Sequence, residues 1–220
     1  MNTFQDTAEK VKSHAENVVA GSICHVKRCP RCGGHPERFG NHGHRKRIFL
    51  AIDGNYVHRL AGMLARKRCP ICRHTFTDYP PFAYPYKRYL ACCVMEGGRG
   101  YLDEDRMTYR KAVRREGAAI AYEDGQDGSI DERQLTPSTV WRWLGFVGSM
   151  VTVIRKAVEM IGGKDPSSPL FRAPCVVASN KYRSLKRKMV LQRAVRLLEI
   201  EPVFFSLFSI RITQFATSYL

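Results

Sequence analysis

Apolar positions recur along this chain with two different periods. Over residues 3–20, Val11, Ala15, Val18 and Val19 fall near helical spacing, which predicts a short amphipathic helix closed by Gly21. Residues 48–52 are a continuous apolar run of strand length. Asp53-Gly54 then gives a tight-turn signal, because glycine tolerates positive φ, and a second run at 56–60 completes a hairpin. A third short strand is predicted near 63–68. Residues 79–86 are rich in proline and aromatic residues. They are predicted to be extended, since a residue before proline avoids the helical region, with their rings laid against the hairpin.

Helical periodicity returns over 87–95 and is predicted to break at Gly97-Gly98-Arg99-Gly100. Residues 107–121 read as a helix capped by Thr108, and Ser129-Ile130-Asp131-Glu132 has the form of a capping box. Thr136-Pro137 starts a further helix, in which Val140, Leu144, Val147 and Val151 share one face. Helices over 151–161 and 184–200 follow, separated by Gly162-Gly163 and the proline-bearing stretch 166–174. The apolar run 203–220, interrupted by Arg211 and Gln214, reads as a core or partner-facing segment. The expected fold class is α+β in four segments: an N-terminal helix (1–23), a small antiparallel module (24–89), a helical region (90–150) and C-terminal helices (151–220).

The cysteines change this picture most. Cys29-Pro30-Arg31-Cys32 and Cys69-Pro70-Ile71-Cys72 are two CPxC pairs flanking the predicted hairpin. A two-residue gap lets both sulfurs of a pair face one metal. Two pairs fill a tetrahedral site and leave no open position for a substrate. Cys29, Cys32, Cys69 and Cys72 are therefore candidate ligands of a structural Zn2+, and the module is predicted to be a zinc ribbon. Iron suits the same four sulfurs. A redox dithiol would need one such pair opening a helix in a βαβ unit. Disulfides fit poorly with an N-terminus that lacks the apolar core of a secretory signal. Cys24, His25, His42 and His44 lie close enough in sequence to be alternative ligands. Gly33-Gly34 follows the first pair, where the chain must turn sharply, whereas Arg73-His74 follows the second. Cys92, Cys93 and Cys175 read as buried thiols.

Charge adds a partner. The chain has 36 Lys+Arg against 20 Asp+Glu, a net charge of +16 over 220 residues. That balance implies a polyanion, most simply nucleic acid, with an acidic membrane surface as the alternative. Residues 27–73 carry twelve Lys/Arg against Glu37 and Asp53 alone, and a second basic run spans 181–188. Nine acids instead gather between 103 and 132. Arg45, Lys46, Arg47, Arg66, Lys67, Arg68, Lys186, Arg187 and Lys188 are the candidate phosphate contacts. Ser138, Thr139 and Arg142, near the start of the 137–149 helix and off its apolar face, are candidate base readers in a helix-turn-helix-like unit. Trp141 and Trp143 read as core or interface aromatics. No stretch of about 20 residues is apolar enough to span a bilayer.

The segment 29–89, with its CPRC, the later Arg-Lys-Arg-Cys-Pro-Ile-Cys-Arg-His-Thr-Phe and then Pro-Pro-Phe and Pro-Tyr-Lys-Arg-Tyr, resembles the N-terminal zinc ribbon of bacterial insertion-sequence transposases and related orphan mobile-element proteins. There a helix-turn-helix follows the ribbon, and Thr-Val-Trp-Arg-Trp-Leu at 139–144 fits that order. The resemblance covers about residues 26–150. It implies binding of double-stranded DNA in connection with a mobile element, at the nucleoid of the cytoplasm. The long insert between the pairs and the absent glycine after Cys72 depart from that pattern. A two-metal nuclease core needs carboxylates gathered on a βαβ scaffold. After Glu132 only Glu159, Asp165, Glu199 and Glu201 remain, so the expectation is a non-enzymatic protein whose C-terminal helices pair two copies or dock a transposase partner. An alternative is an RNA-binding or ribosome-associated zinc module, with Phe82, Tyr84 and Tyr86 stacking on unpaired bases.

Overall fold

The computed structural model describes residues 3–123, 133–172 and 174–212. The predicted capping box at 129–132 and the end of the 203–220 run lie outside them. Among the described residues the fold is α+β, with five α-helices and a mainly antiparallel sheet. The chain divides into two compact units, one of residues 3–53 with 58–91, the other of residues 54–57 with 92–212.

In the first unit, helix α1 (Phe4–Val19) begins with a capping box: the Thr3 hydroxyl accepts the Asp6 N–H, and the Asp6 carboxylate accepts the Thr3 N–H. Its buried stripe is Val11, His14 and Val18. The imidazole of His14 stacks on His25 at 5.4 Å and meets the edge of Phe82. Burial first, and the charge of His25 second, pull the His14 pKa down to about 4. A histidine neutral in the fold and protonated in the unfolded chain makes stability fall as pH drops from 6.5 towards 4. The slope is at most about 1.4 kcal/mol per pH unit. His14→Leu is expected to flatten that part of the stability profile relative to the wild type, as read by urea unfolding at pH 7 and 5.

Strands β1 (Gly40–Asp53) and β2 (Tyr56–Arg68) form the predicted hairpin, antiparallel because only Gly54-Asn55 joins them. It is longer than the apolar runs suggested. The piece at 63–68, expected as a separate strand, is the second half of β2. Ala61-Gly62 would ordinarily weaken a strand, but a Cβ at Gly62 would lie 2.7 Å from the Phe49 ring, so the ring lies where a side chain would be. The third strand, β3 (Thr75–Asp78), instead follows the second cysteine pair and runs antiparallel to β2, with Lys67 opposite Phe76. Residues 79–86 are not extended. They fold into turns closed by Ala83 N–H to Pro80 O and Lys87 N–H to Tyr84 O. Tyr79 and Tyr84 are buried, and Phe82 stands edge-on to Phe49.

In the second unit, helix α2 (Ala91–Leu102) runs straight through Gly97-Gly98-Arg99-Gly100, where a break was expected. Each glycine costs a helix about 1 kcal/mol. Here the missing side chain is the packing solution: a Cβ on Gly97 would sit 2.6 Å from the Trp143 ring, and one on Gly98 would touch Leu144 and Leu198. Residues 107–121 do not form a helix. They hold turns and the short antiparallel pair β4 (Arg114–Arg115) and β5 (Ala118–Ala119), while β6 (Ala121–Tyr122) pairs in parallel with Tyr56-Val57 of β2. Helices α3 (Pro137–Ser149) and α4 (Val151–Lys164) are separated by Met150 alone and pack on α5 (Leu185–Phe208). Pro137 takes the first turn of α3 as predicted. Val140, Trp143, Leu144 and Val147 are buried on its inner face. Ser184 caps α5, which continues past residue 200 and through Pro202. No helix among the described residues is long and apolar enough to cross a membrane.

Candidate metal centre

The two CPxC segments fold as near copies. In the first, the Cys29 N–H donates to Gly34 O and the Gly33 N–H donates back to Cys29 O, each at 2.9 Å. In the second, the Cys69 N–H donates to His74 O and the Arg73 N–H to Cys69 O, again at 2.9 Å. Proline after the first cysteine presets the turn. Both knuckles then need a left-handed residue after the second cysteine, Gly33 at φ +66° and Arg73 at φ +58°. Glycine takes that conformation freely, whereas a side chain there costs about 1–2 kcal/mol. The second knuckle has the shape of the first and is strained where the first is not.

The knuckles bring the four thiols of Cys29, Cys32, Cys69 and Cys72 within 4.8 Å of one another. Across the pairs, Cys29 Sγ is 3.6 Å from Cys72 Sγ, and Cys32 Sγ is 3.9 Å from Cys69 Sγ. Four sulfurs at about 2.3 Å from a tetrahedral ion are spaced by about 3.8 Å. A disulfide needs about 2.05 Å, so these sulfurs are free thiols. The donor set and its spacing fit one four-coordinate metal ion. Among the described residues this is the one cluster of His, Cys, Asp or Glu with such geometry, and Cys24, His25, His42 and His44 are not in it.

Electrostatics within the cluster point the same way. Burial raises the Cys29 thiol, but the N–H groups of Cys32 and Arg31 and the neighbouring thiols outweigh it and bring it down to about 7. At Cys32 the Gly34 N–H favours the thiolate, yet burial and the other three thiols push it up to about 11. One sulfur ionises readily and the next resists, which is the behaviour of like charges sharing a site, and a central cation removes that repulsion. Behind the thiols, Val26, Phe39 and Phe76 pack with Cys29 and Cys69, the two phenyl rings edge to face at 5.1 Å. The approach to Cys29 is held by Asp78, whose buried carboxylate accepts the N–H groups of His25 and Val26.

The predicted cations divide into two groups. Arg45, Lys46, Arg66 and Arg68 are exposed, and so are the other cations of residues 27–73 except Arg47 and Lys67. Arg47 is half-buried and donates to Lys87 O. Lys67 is 3 % exposed and donates to Asn41 Oδ1 at 2.7 Å, so it faces inward and cannot meet a phosphate at the surface. Alternation along β2 explains this: Arg66 and Arg68 share one face and Lys67 takes the other. In the second unit Lys186 is exposed. Arg187 lies between Tyr109 and Trp141, 4.7 Å from the Trp141 ring, and donates to the Tyr109 hydroxyl and to Trp141 O. Lys188 covers the Tyr182 ring. Lys181, from the same basic run, is buried and donates to the carbonyls of Tyr101, Glu104 and Met107.

On α3, Ser138 and Arg142 are exposed, Thr139 is half-buried, and the hydroxyls of Ser138 and Thr139 both bond that of Thr136. Trp143 is buried and Trp141 half exposed. Of the other thiols Cys93 is buried, Cys175 half-buried and Cys92 exposed, so the buried-thiol expectation does not hold for Cys92. Sequence reasoning marked Arg73 only as a departure from the glycine of the first knuckle, and it missed His14 and Asp78.

A family described as a domain of unknown function, DUF6431, matches residues 29–115. No curated protein and no solved structure is similar enough to this chain to count as a match. The family match begins at the first thiol of the cluster, includes all four, and extends through β4.

Proposed function

We propose that this protein is a zinc-built, duplex-DNA-binding protein related to mobile elements, with no nuclease chemistry of its own. The observation that carries the reading is the surface of the four-thiol module. Its cations, from Lys27 to Arg73, are exposed almost without exception, around knuckles that a single ion would make rigid. In this reading Zn2+ holds the ribbon and does no chemistry, because four thiolates leave it no open position. Arg45, Lys46, Arg66 and Arg68 contact phosphates, as does Lys186. Ser138, Thr139 and Arg142 at the N-terminal end of α3 read base edges in a helix-turn-helix-like manner, with α3 braced by α5 in place of a helix at 107–121.

The RNA alternative has less support in the arrangement of rings. Of Phe82, Tyr84 and Tyr86, only Tyr86 is exposed; Tyr84 is fully buried and Phe82 is packed against Phe49 and His14. Unpaired bases need open aromatic faces to stack on.

The test is the salt dependence of duplex binding. Neutralising about six phosphates makes affinity fall roughly a thousandfold between 50 and 200 mM salt. Fluorescence anisotropy with a labelled duplex reads this directly. Affinity that is flat across that range, or a preference for single-stranded RNA in competition, rules the reading out.

A further inference from the structure

We infer that the notch beside the second knuckle, between Arg68 and Arg73, is an oxyanion site that takes a phosphate of the DNA backbone. This rests on the DNA-binding reading above and adds to it a location.

Three observations meet there. The first is a cavity of about 350 Å³ lined by Gly40, Arg68, Cys69, Pro70 and Arg73, with two guanidinium-bearing residues and no acid in its wall. The second is that both arginines are exposed, and neither is engaged in an ion pair with an acid among the described residues. A guanidinium offers a planar fork of donors that matches phosphate oxygens, and a pair of them is a common way to grip one. The third is the strained backbone. The first knuckle solves the left-handed position with Gly33, whereas the second keeps Arg73 at the same geometry. A backbone conformation that a side chain resists, retained where glycine would serve the fold, marks a residue whose side chain has a task. Gly40 lines the same notch, and a Cβ on it would lie 3.7 Å from the Arg68 carbonyl oxygen.

The arrangement gives the ribbon a polarity. After its second cysteine the first knuckle has Gly33-Gly34 and its cation is Arg31, between the cysteines, while the second presents Arg73 beside Arg68.

Substitution with glycine separates this role from a structural one, because the two move in opposite directions. Arg73→Gly should relax the knuckle and raise the melting temperature by about 2–5 °C. In the same protein, duplex affinity at 100 mM salt should fall about fivefold to tenfold, and the slope of log K against log salt should shrink by about one. Arg68→Gln should lower the affinity similarly without the thermal gain. Inorganic phosphate at constant ionic strength should shift the amide resonances of Gly40 and Arg73 saturably in the wild type and not in Arg73→Gly. If both variants bind duplex with wild-type affinity and slope, and phosphate moves neither resonance, the notch is not an anion site, although the DNA reading stands. If the wild type ignores duplex DNA while phosphate still moves both resonances, the notch stands as a phosphate site and the DNA reading fails.

Discussion

Replacing Cys69 with serine is expected to release the metal and unfold the knuckles, with the loss of one equivalent of zinc per chain by native mass spectrometry. Cys69 is fully buried, and its backbone makes both hydrogen bonds that shape the second knuckle. Its sulfur lies 3.9 Å from that of Cys32, so removing it opens the coordination sphere between the two knuckles. Apart from the pairing of β3 on β2 and the Asp78 hydrogen bonds, little else would hold this region. The apolar cluster behind the thiols consists of Val26, Phe39 and Phe76 with the cysteines themselves. In such a small module the energy of metal binding is the energy of folding, on the order of 10 kcal/mol. A chelator should act on the wild type in the same way. A Cys69→Ser protein that keeps a full equivalent of zinc and its thermal stability would show that these four sulfurs are not the ligands.

The second large effect is expected far from the thiols. Gly148 lies on the buried face of α3, where that helix crosses α5. A Cβ there would overlap the carbonyl oxygen of Val190 and lie 2.8 Å from its Cγ1. A side chain can rotate away, but a carbonyl inside a helix cannot move without its whole turn. Gly148→Ala should therefore cost about 3 kcal/mol or more, at or beyond the upper end of ordinary overpacking. Calorimetry should show a fall of about 10 °C in the transition of the helical unit. Gly145→Ala is the control. Its added Cβ meets only the end of the flexible Arg187 side chain, at 3.8 Å, and alanine favours the helix by about 1 kcal/mol. Equal behaviour of the two variants would mean that the helices do not cross at Gly148.

These cases show which features could be read from the chain. The thiol cluster was legible because coordination chemistry fixes residue type and spacing locally. The hairpin was legible from two apolar runs around Asp53-Gly54, and the start of α3 from Thr136-Pro137. Glycine was misread at several positions where its role is tertiary. Gly97 and Gly98 look like a helix break until Trp143 and Leu144 are seen against them, and Gly62 looks like a strand end until the Phe49 ring is seen over it. Periodicity could not show that residues 107–121 prefer turns and a short β pair to a helix. Cations were misread for a related reason. Lys67, Lys181 and Arg187 are part of basic runs in sequence, yet each is turned inward by a specific acceptor or ring that only the fold supplies. Asp78 and His14 carried no local pattern that would single them out.

Strand β1 stands at the end of the order β1-β2-β3, and its first half, from Gly40 to Lys46, is exposed. An outermost strand with a free margin tends to recruit the same strand of another molecule. Here that margin carries His42, His44, Arg45 and Lys46, so two copies brought side by side would repel one another. Apolar replacements at these positions should raise the tendency of copies to associate through that margin, as light scattering would show.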